Sequence, residues 1–209
     1  MSKLLYIESS PRKDRAASIN VAKEFLDAYA KAHPADTIET LDLWATALPE
    51  FDGSALNAKY NILHGQPHSA SDATAWGAIE QICQHFVAAD KYLFSVPMWN
   101  FGIPYKLKHF IDLVVQPGLT FSFSPETGYT GLVTGKPATI IYSSGGDYGP
   151  DSPAKSYDLQ KPYVELFLGF IGITDVRRIS VAPTLAAPDV VAAVLAKAKQ
   201  EAAEIAQSF

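Results

Sequence analysis

Three short segments of the chain hold the residue types from which a ligand site can be built. The first, Ser9-Ser10-Pro11-Arg12-Lys13-Asp14-Arg15-Ala16-Ala17-Ser18, places hydroxyls and cations just before a stretch with helical apolar spacing. The unpaired N–H groups and positive dipole end of such a helix favour a phosphate, and Ser10 and Ser18 can add hydroxyl donors. A polar turn capped by Ser18 is the plainer reading of the same residues. The second, Pro97-Met98-Trp99-Asn100-Phe101-Gly102-Ile103-Pro104, is apolar and aromatic where a solvent-facing loop is ordinarily polar. That pattern predicts a flat apolar group lying over it, the alternative being packing against the chain's own insertions. Asn100 offers an amide donor and acceptor to the heteroatoms of a ring edge. The third, Ser143-Ser144-Gly145-Gly146-Asp147-Tyr148-Gly149-Pro150, lets the backbone approach a ligand and present N–H groups to negative charge. Alone, a glycine pair after a strand more often just turns the chain.

Each of these segments follows a run that reads as a strand. Leu4-Leu5-Tyr6-Ile7 is a compact apolar run ended by Ser9-Ser10-Pro11, as expected of a central strand covered on both faces. Tyr92-Leu93-Phe94-Ser95-Val96 and Ala138-Thr139-Ile140-Ile141-Tyr142 precede the other two segments, and Ile38-Glu39-Thr40-Leu41-Asp42-Leu43 alternates as a strand near a sheet edge does. A fifth strand is predicted at Val176–Val181. Between them, helical spacing is carried by Val21, Ala22, Phe25, Leu26 and Tyr29, by residues 72–89, by the stretch after Pro104, and by residues near 158–168. An alanine-rich helix from about Asp189 to Ala206 closes the chain. Residues 44–70 read as an excursion with a short helix, and residues 117–136 as an insertion in which Phe121 and Phe123 alternate. The pattern is βα repeated five times, which predicts one α/β domain over residues 1–209 with a doubly wound, five-stranded parallel sheet of order 2-1-3-4-5. In that order the winding reverses between strands one and three, and their carboxyl-end loops open a crevice where ligands bind.

Composition excludes several classes. A formal charge of −5 with interleaved acids and bases argues against a nucleic-acid groove or a polybasic membrane patch. Cys83 is the single cysteine, which excludes an internal disulfide framework and suits a reducing compartment; it falls in a helical pattern and is expected to be buried. The opening Met1–Glu8 is too short an apolar stretch for a signal peptide, and no run is long enough to span a bilayer, so the cytoplasm is expected. His64 and His68 have a metal-compatible spacing, but Gly65 and Pro67 argue against a helix there, so no metal is expected. Gly131-Leu132-Val133-Thr134-Gly135-Lys136 is one residue short of a P-loop and precedes a strand instead of following one. No Gly-x-Gly-x-x-Gly follows the first strand, so a nicotinamide nucleotide is expected to share a pocket with another cofactor and to have no Rossmann cleft of its own.

The Ser9-Ser10 opening, Pro97-Met98-Trp99-Asn100-Phe101, Lys106-Leu107-Lys108 with Asp112, residues 131–136, Gly145-Gly146, and Phe167-Leu168-Gly169-Phe170-Ile171-Gly172 together carry a resemblance over nearly the whole chain. By these residues the sequence resembles the FMN-dependent NADH-azoreductase family, within the wider flavodoxin-like quinone reductases. The resemblance implies a flavodoxin-like fold and an FMN whose phosphate is held by Ser10 and the Ala16-Ala17-Ser18 turn. Pro97 to Phe101 and Ser143 to Gly146 would border its isoalloxazine ring. It implies NADH as electron donor, with Arg12, Lys13 and Arg15 leaving NADPH open, and a quinone or aromatic azo compound as acceptor. Two departures stand out: the family often has Ser-x-Ser at Ala16-Ala17-Ser18 and an arginine at Ser144. No catalytic acid–base residue is required, because the cofactor carries the chemistry. A homodimer is expected as well, with Phe123, Tyr129 and Phe167 forming the substrate pocket, Phe167 as its roof and Phe170 with Ile171 in the core. The rivals are a flavodoxin-type electron carrier, against which the apolar insertions argue, and a receiver-type module, which would need an acceptor Asp where Pro97 and Met98 follow the third strand.

Overall fold

The computed structural model describes every residue except His68, and the Leu63 side chain also lies outside the described residues. In chain order the elements are β1 (Lys3–Glu8), α1 (Ala17–Ala32), β2 (Thr37–Asp42), α2 (Gly53–Leu63), α3 (Ala70–Val87), β3 (Lys91–Pro97), α4 (Tyr105–Val114), β4 (Phe121–Ser124), β5 (Gly128–Gly131), β6 (Ala138–Ser143), α5 (Gln160–Ile171), β7 (Val176–Val181) and α6 (Pro188–Gln207). Successive side chains of a strand point to opposite faces, so an apolar run such as Leu4–Ile7 needs cover on both. Leu5 and Ile7 enter a core formed with Phe94, Ile140, Phe86, Phe110 and Leu168. Leu4 and Tyr6 enter the opposite core with Leu93, Ile141, Val21, Phe25, Ala198 and Ala202. Helices α3, α4 and α5 therefore cover one face, and α1 and α6 the other.

The parallel strands run β2-β1-β3-β6-β7, which is the order 2-1-3-4-5 once the two short strands are set aside. Strand β2 sits at the edge, as its alternation predicted. Both insertions take a definite form, the first with the short helix expected in it. The excursion of residues 44–70 supplies α2, capped by Asp52, whose carboxylate accepts the Ala55 N–H at 3.0 Å. This helix closes a third small core, Ala55 and Ala58 against Trp76, Ile79, Cys83 and Leu113. The insertion after Pro117 folds as a separate antiparallel hairpin, with Phe121 opposite Gly131 and Phe123 opposite Tyr129. No helix among the described residues is long and apolar enough to cross a membrane.

The amino-terminal edge of the sheet is tied by Asp36. Its carboxylate accepts the Ser2 N–H at 2.6 Å and the Tyr29 hydroxyl at 2.7 Å, with Lys91 Nζ at 3.5 Å. The Ser2 N–H first, and the Tyr29 hydroxyl second, hold its pKa down at about 2, against an ordinary 3.8. A carboxylate depressed in the folded state stabilises fully above its unfolded pKa, and that contribution is lost as pH falls through the folded value. The stability difference between wild type and Asp36→Asn should therefore be largest above about pH 4 and shrink towards about pH 2. Urea midpoints at several acid pH values check this, and a difference independent of pH would remove the assignment.

Candidate functional site

The first loop leaves β1 through Ser9 and Ser10 and makes a tight turn at Lys13–Arg15, closed by the Ala16 N–H on the Lys13 carbonyl at 2.8 Å. The Ala16 carbonyl then accepts the Asn20 N–H at 3.0 Å, so α1 begins at Ala17, with Ala16 as its extended N-cap (φ −90°, ψ 121°) and no side-chain cap. Ser18, expected as the cap, instead lies inside the first turn, because the preceding turn starts the helix two residues early. Its hydroxyl is fully buried and has no hydrogen-bond partner among the described residues. Ser10 Oγ accepts the Arg12 N–H at 3.3 Å.

Lys13 stands in the left-handed region, at φ 49°. Its ammonium donates to Glu8 Oε1 at 2.6 Å and to Asp42 Oδ2, the last residues of β1 and β2, which are paired in register. Burial pulls the Lys13 pKa down, but the hydrogen bonds from Asp42 and Glu8 outweigh it and leave the group above the ordinary lysine value. Asp14 turns away to Lys23 on α1. Arg12 and Arg15 face the crevice, without an acidic partner among the described residues.

The second loop is fixed from two sides. The Met98 N–H donates to the Ser143 carbonyl at 2.7 Å, and Trp99 and Gly102 exchange backbone hydrogen bonds at 3.0 Å each. Between them Asn100 and Phe101 have φ of 45° and 71°, the pattern of a type I′ turn. Asparagine tolerates this conformation and phenylalanine rarely adopts it, so strain is held beside the crevice. Trp99 packs near Trp44, with ring centroids 5.7 Å apart, and the Trp44 indole N–H donates to the Ser9 carbonyl at 3.0 Å. Trp44 thus braces the first loop against the second.

The third loop is held by a fourth that the sequence reading did not single out. The Thr184 N–H and hydroxyl both donate to the Ser144 carbonyl at 3.0 Å, and the Leu185 N–H donates to the Gly145 carbonyl at 3.0 Å. Ser144 Oγ is used internally, donating to the Gly146 carbonyl at 2.8 Å. The Gly145 and Gly146 N–H groups have no partner among the described residues. A Cβ at Gly145 would lie 2.7 Å from Leu185 Cδ1, so a side chain there would displace Leu185, which is 86% exposed.

These loops enclose a crevice of about 470 Å³ at the carboxyl ends of the strands, within the roughly 300–1,000 Å³ of small-molecule sites. Of the expected site residues, Ser10, Ala16, Ala17, Pro97, Met98, Trp99, Ser143, Ser144 and Gly145 line it. Ser18, Asn100, Phe101 and Gly146 are not among its wall residues: Ser18 is fully buried next in the chain to the wall residue Ala17, and the Phe101 ring lies 5.6 Å from that of Tyr157. The walls also include Asn20, Thr184, Leu185, Val191 and Leu195. The sheet order carried the signal for them, since β7 pairs with β6 and its following loop must adjoin the glycine loop. The wall combines two arginines, Arg12 and Arg15, and a helix start without a side-chain cap with an apolar floor of Pro97, Met98 and Trp99. The Gly145 N–H, which has no partner among the described residues, adds hydrogen-bonding capacity to the wall, and the unpaired Ser18 hydroxyl lies next in the chain to the wall residue Ala17. That donor set fits a phosphate joined to a flat, heteroatom-edged ring.

The expected substrate pocket needs correction. Phe167 is 6% exposed and meets Phe94 edge-on at 6.2 Å in the main core, so it is no roof. Phe170 is the half-buried member, packed near Phe121 and Tyr129 at 4.8 and 5.4 Å. The hairpin lies over Phe170, whereas the sheet takes Phe167. Phe123 and Tyr129 are 60% and 65% exposed and lie outside the crevice of a single chain. Cys83 is buried as expected, and burial pushes its pKa up to about 12, so the thiol stays protonated. His64 Nδ1 lies 2.7 Å from the Tyr60 carbonyl, and the other half of the His64–His68 pair lies outside the described residues.

Comparison with known proteins places the chain among relatives of one kind. The model of the family Flavodoxin_2, described as flavodoxin-like fold, matches residues 2–206. An FMN-dependent NADH:quinone oxidoreductase of Desulfotalea psychrophila is 55% identical over 209 residues, covering 100% of this chain and 98% of that protein. A second of the same name from Nitratidesulfovibrio vulgaris is 45% identical, with 100% of both chains covered. Among solved structures, an azoreductase from Bacillus anthracis aligns over 100% of both chains with a TM-score of 0.92 at 30% identity. An FMN-dependent NADH-azoreductase from the same species, in complex with FMN, aligns over 99% of this chain and 100% of its own with a TM-score of 0.86 at 29% identity.

Proposed function

The chain belongs to the flavodoxin-like family that includes the FMN-dependent NADH:quinone oxidoreductases, and from that premise we propose that its crevice holds FMN and passes electrons from NADH to quinones and aromatic azo compounds. It is an oxidoreductase and a flavoprotein. The observation that carries the reading is the crevice wall: Ser10, the start of α1 at Ala16 and Ala17 with no side-chain cap, and Gly145, whose N–H has no partner among the described residues, stand beside a floor of Pro97, Met98 and Trp99.

The chemistry that bound FMN would supply in this crevice is two-electron transfer between a nicotinamide nucleotide and the acceptor. The chain's own residues bind and orient. Ser10 and the first turn of α1 would hold the phosphate, and the unpaired hydroxyl of Ser18, next in the chain to the wall residue Ala17, would be available to it. Met98 and Trp99, braced by Trp44, would give a flat ring an apolar bed, and the Gly145 N–H, unpartnered among the described residues, would stabilise negative charge on it. No side chain has to move a proton in this arrangement. Ser144 keeps its hydroxyl on the Gly146 carbonyl and shapes the loop.

Nicotinamide and acceptor must take turns at one open face, so initial rates should follow ping-pong kinetics. Parallel double-reciprocal lines with NADH and menadione are expected, and intersecting lines would mean two separate sites. Sustained turnover with these two small molecules also distinguishes an enzyme from a carrier that needs a partner protein.

We further propose a homodimer. The outer face of α5 leaves Leu166 71% exposed, beside a shallow apolar groove that includes Ile103, Leu159 and Pro162, and the hairpin projects Phe123 and Tyr129. A second copy covering these surfaces would bring aromatic side chains over the crevice and exclude water from it. Specific activity should then fall on dilution in step with dissociation seen by sedimentation, whereas a fully active monomer would leave a single-chain site. The single cysteine, a buried free thiol, suits a reducing compartment, which supports a cytoplasmic location.

A further inference from the structure

The first loop carries three cations within four residues, Arg12, Lys13 and Arg15, and the structure gives them different work. Lys13 is consumed by two carboxylates, Glu8 and Asp42, that end adjacent strands. Its left-handed backbone, disfavoured for a residue with a side chain, is held by that double pairing. The one acid of the turn, Asp14, is drawn off to Lys23. What remains at the crevice wall are two arginines, Arg12 and Arg15, with no acidic partner among the described residues, beside an N-cap and first helical residue, Ala16 and Ala17, that offer no side-chain donor.

We propose that Arg12 and Arg15 are the residues that select a phosphorylated flavin, and that Lys13, tied to Glu8 and Asp42, is the positioning residue that turns them to the crevice. This rests on the reading that the crevice binds FMN. Guanidinium donors suit a phosphate dianion because they are permanently charged and can bond two oxygens at once. Phosphate affinity in this chain is consequently weighted towards charge, and falls with salt.

The same guanidinium groups could meet a second phosphate chemistry, the 2′-phosphate of NADPH, and the experiment separates the two sources. Equilibrium dialysis of the full chain against FMN and, separately, riboflavin measures the contribution of the phosphate alone. Wild type should prefer FMN. Arg12→Gln combined with Arg15→Gln should lose FMN affinity by about 100-fold, the scale of two charge-assisted hydrogen bonds, with riboflavin affinity unchanged and the salt dependence flattened. Lys13→Asn keeps a residue that accepts the left-handed backbone but removes the ammonium, and should lower FMN affinity in the same selective way; Lys13→Arg should restore it in part. The NADPH-to-NADH ratio of KM should be unaffected. Unchanged FMN affinity in the double variant, an equal loss for riboflavin, or a change confined to the NADPH-to-NADH ratio would each overturn the proposal. Failure of the wild type to bind either flavin would overturn the flavin reading itself.

Discussion

Replacing Gly131 with alanine is expected to destabilise the protein by about 3 kcal/mol or more, the upper range of overpacking effects. The added Cβ would sit 2.3 Å from the Gly172 nitrogen, 2.4 Å from the Ile171 carbonyl carbon and 2.6 Å from the Gly172 Cα. All three are backbone atoms, so no rotamer change relieves the clash. They belong to the turn that ends α5, where Gly172 at φ 105° is the left-handed cap and its N–H donates to the Gly169 carbonyl at 3.1 Å. The chain leaving β5 is also anchored there, the Val133 N–H on the Ile171 carbonyl at 2.8 Å. Alanine must therefore lift the hairpin from α5, parting Phe121 and Tyr129 from Phe170. At roughly 2–4 °C per kcal/mol for a chain of this size, the melting temperature should fall by roughly 6–12 °C. The control is Gly77→Ala within α3, where a Cβ meets nothing within 4 Å. It should stabilise by up to about 1 kcal/mol through helix propensity. FMN affinity should be little changed by Gly131→Ala, because the hairpin does not line the crevice. Turnover should drop if Phe123 and Tyr129 serve the acceptor. Melting within a degree or two of wild type would refute the close backbone contact.

The contrast between these glycines shows what the sequence could and could not disclose. Strand β1 was legible because Leu4–Ile7 must be buried on two faces, and β2 because its alternation betrays one wetter face. The three ligand loops followed from strand ends, which is a local property. The close approach of Gly131 to Gly172 joins segments about forty residues apart, and no local pattern marks it. The same holds for Phe167 and Phe170. Separated by three residues, they lie on neighbouring parts of one helix surface, and only the placement of Phe94 and the hairpin decides which is buried. Of Arg12, Lys13 and Arg15, composition gave three equivalent cations; the register of β1 and β2, which sets Glu8 beside Asp42, singles out Lys13. Ser18 was misread as a cap because its type and spacing fit one. The tight turn before it, closed by Ala16 on Lys13, started the helix earlier and left the hydroxyl without the role its position suggested.

That displaced hydroxyl leads to a prediction in which stability and affinity move apart. In the chain alone, Ser18 Oγ is buried and unpaired, a state that costs about 1–3 kcal/mol relative to a satisfied group. Ser18→Ala should accordingly leave the flavin-free protein as stable as wild type, or more so. If the hydroxyl is kept for the FMN phosphate, the same substitution removes a hydrogen bond to a charged acceptor, worth about 1.5–3 kcal/mol. Ser10 is 1% exposed and lines the crevice, and its present partner, the Arg12 N–H at 3.3 Å, is long enough to leave the hydroxyl proton for another acceptor. Ser10→Ala combined with Ser18→Ala should then weaken FMN by about 3–6 kcal/mol, roughly 150- to 20,000-fold. The increase in melting temperature that FMN gives the wild type should shrink correspondingly, since stabilisation by a ligand follows its concentration relative to its dissociation constant. A structural role for either serine would instead lower stability with and without the flavin. An unchanged dissociation constant for FMN in the double variant would remove the phosphate from the first loop, because water in an anion-binding turn cannot replace both hydroxyls fully. A loss of affinity accompanied by unimpaired flavin-free stability is the outcome expected of hydroxyls that the fold itself does not use.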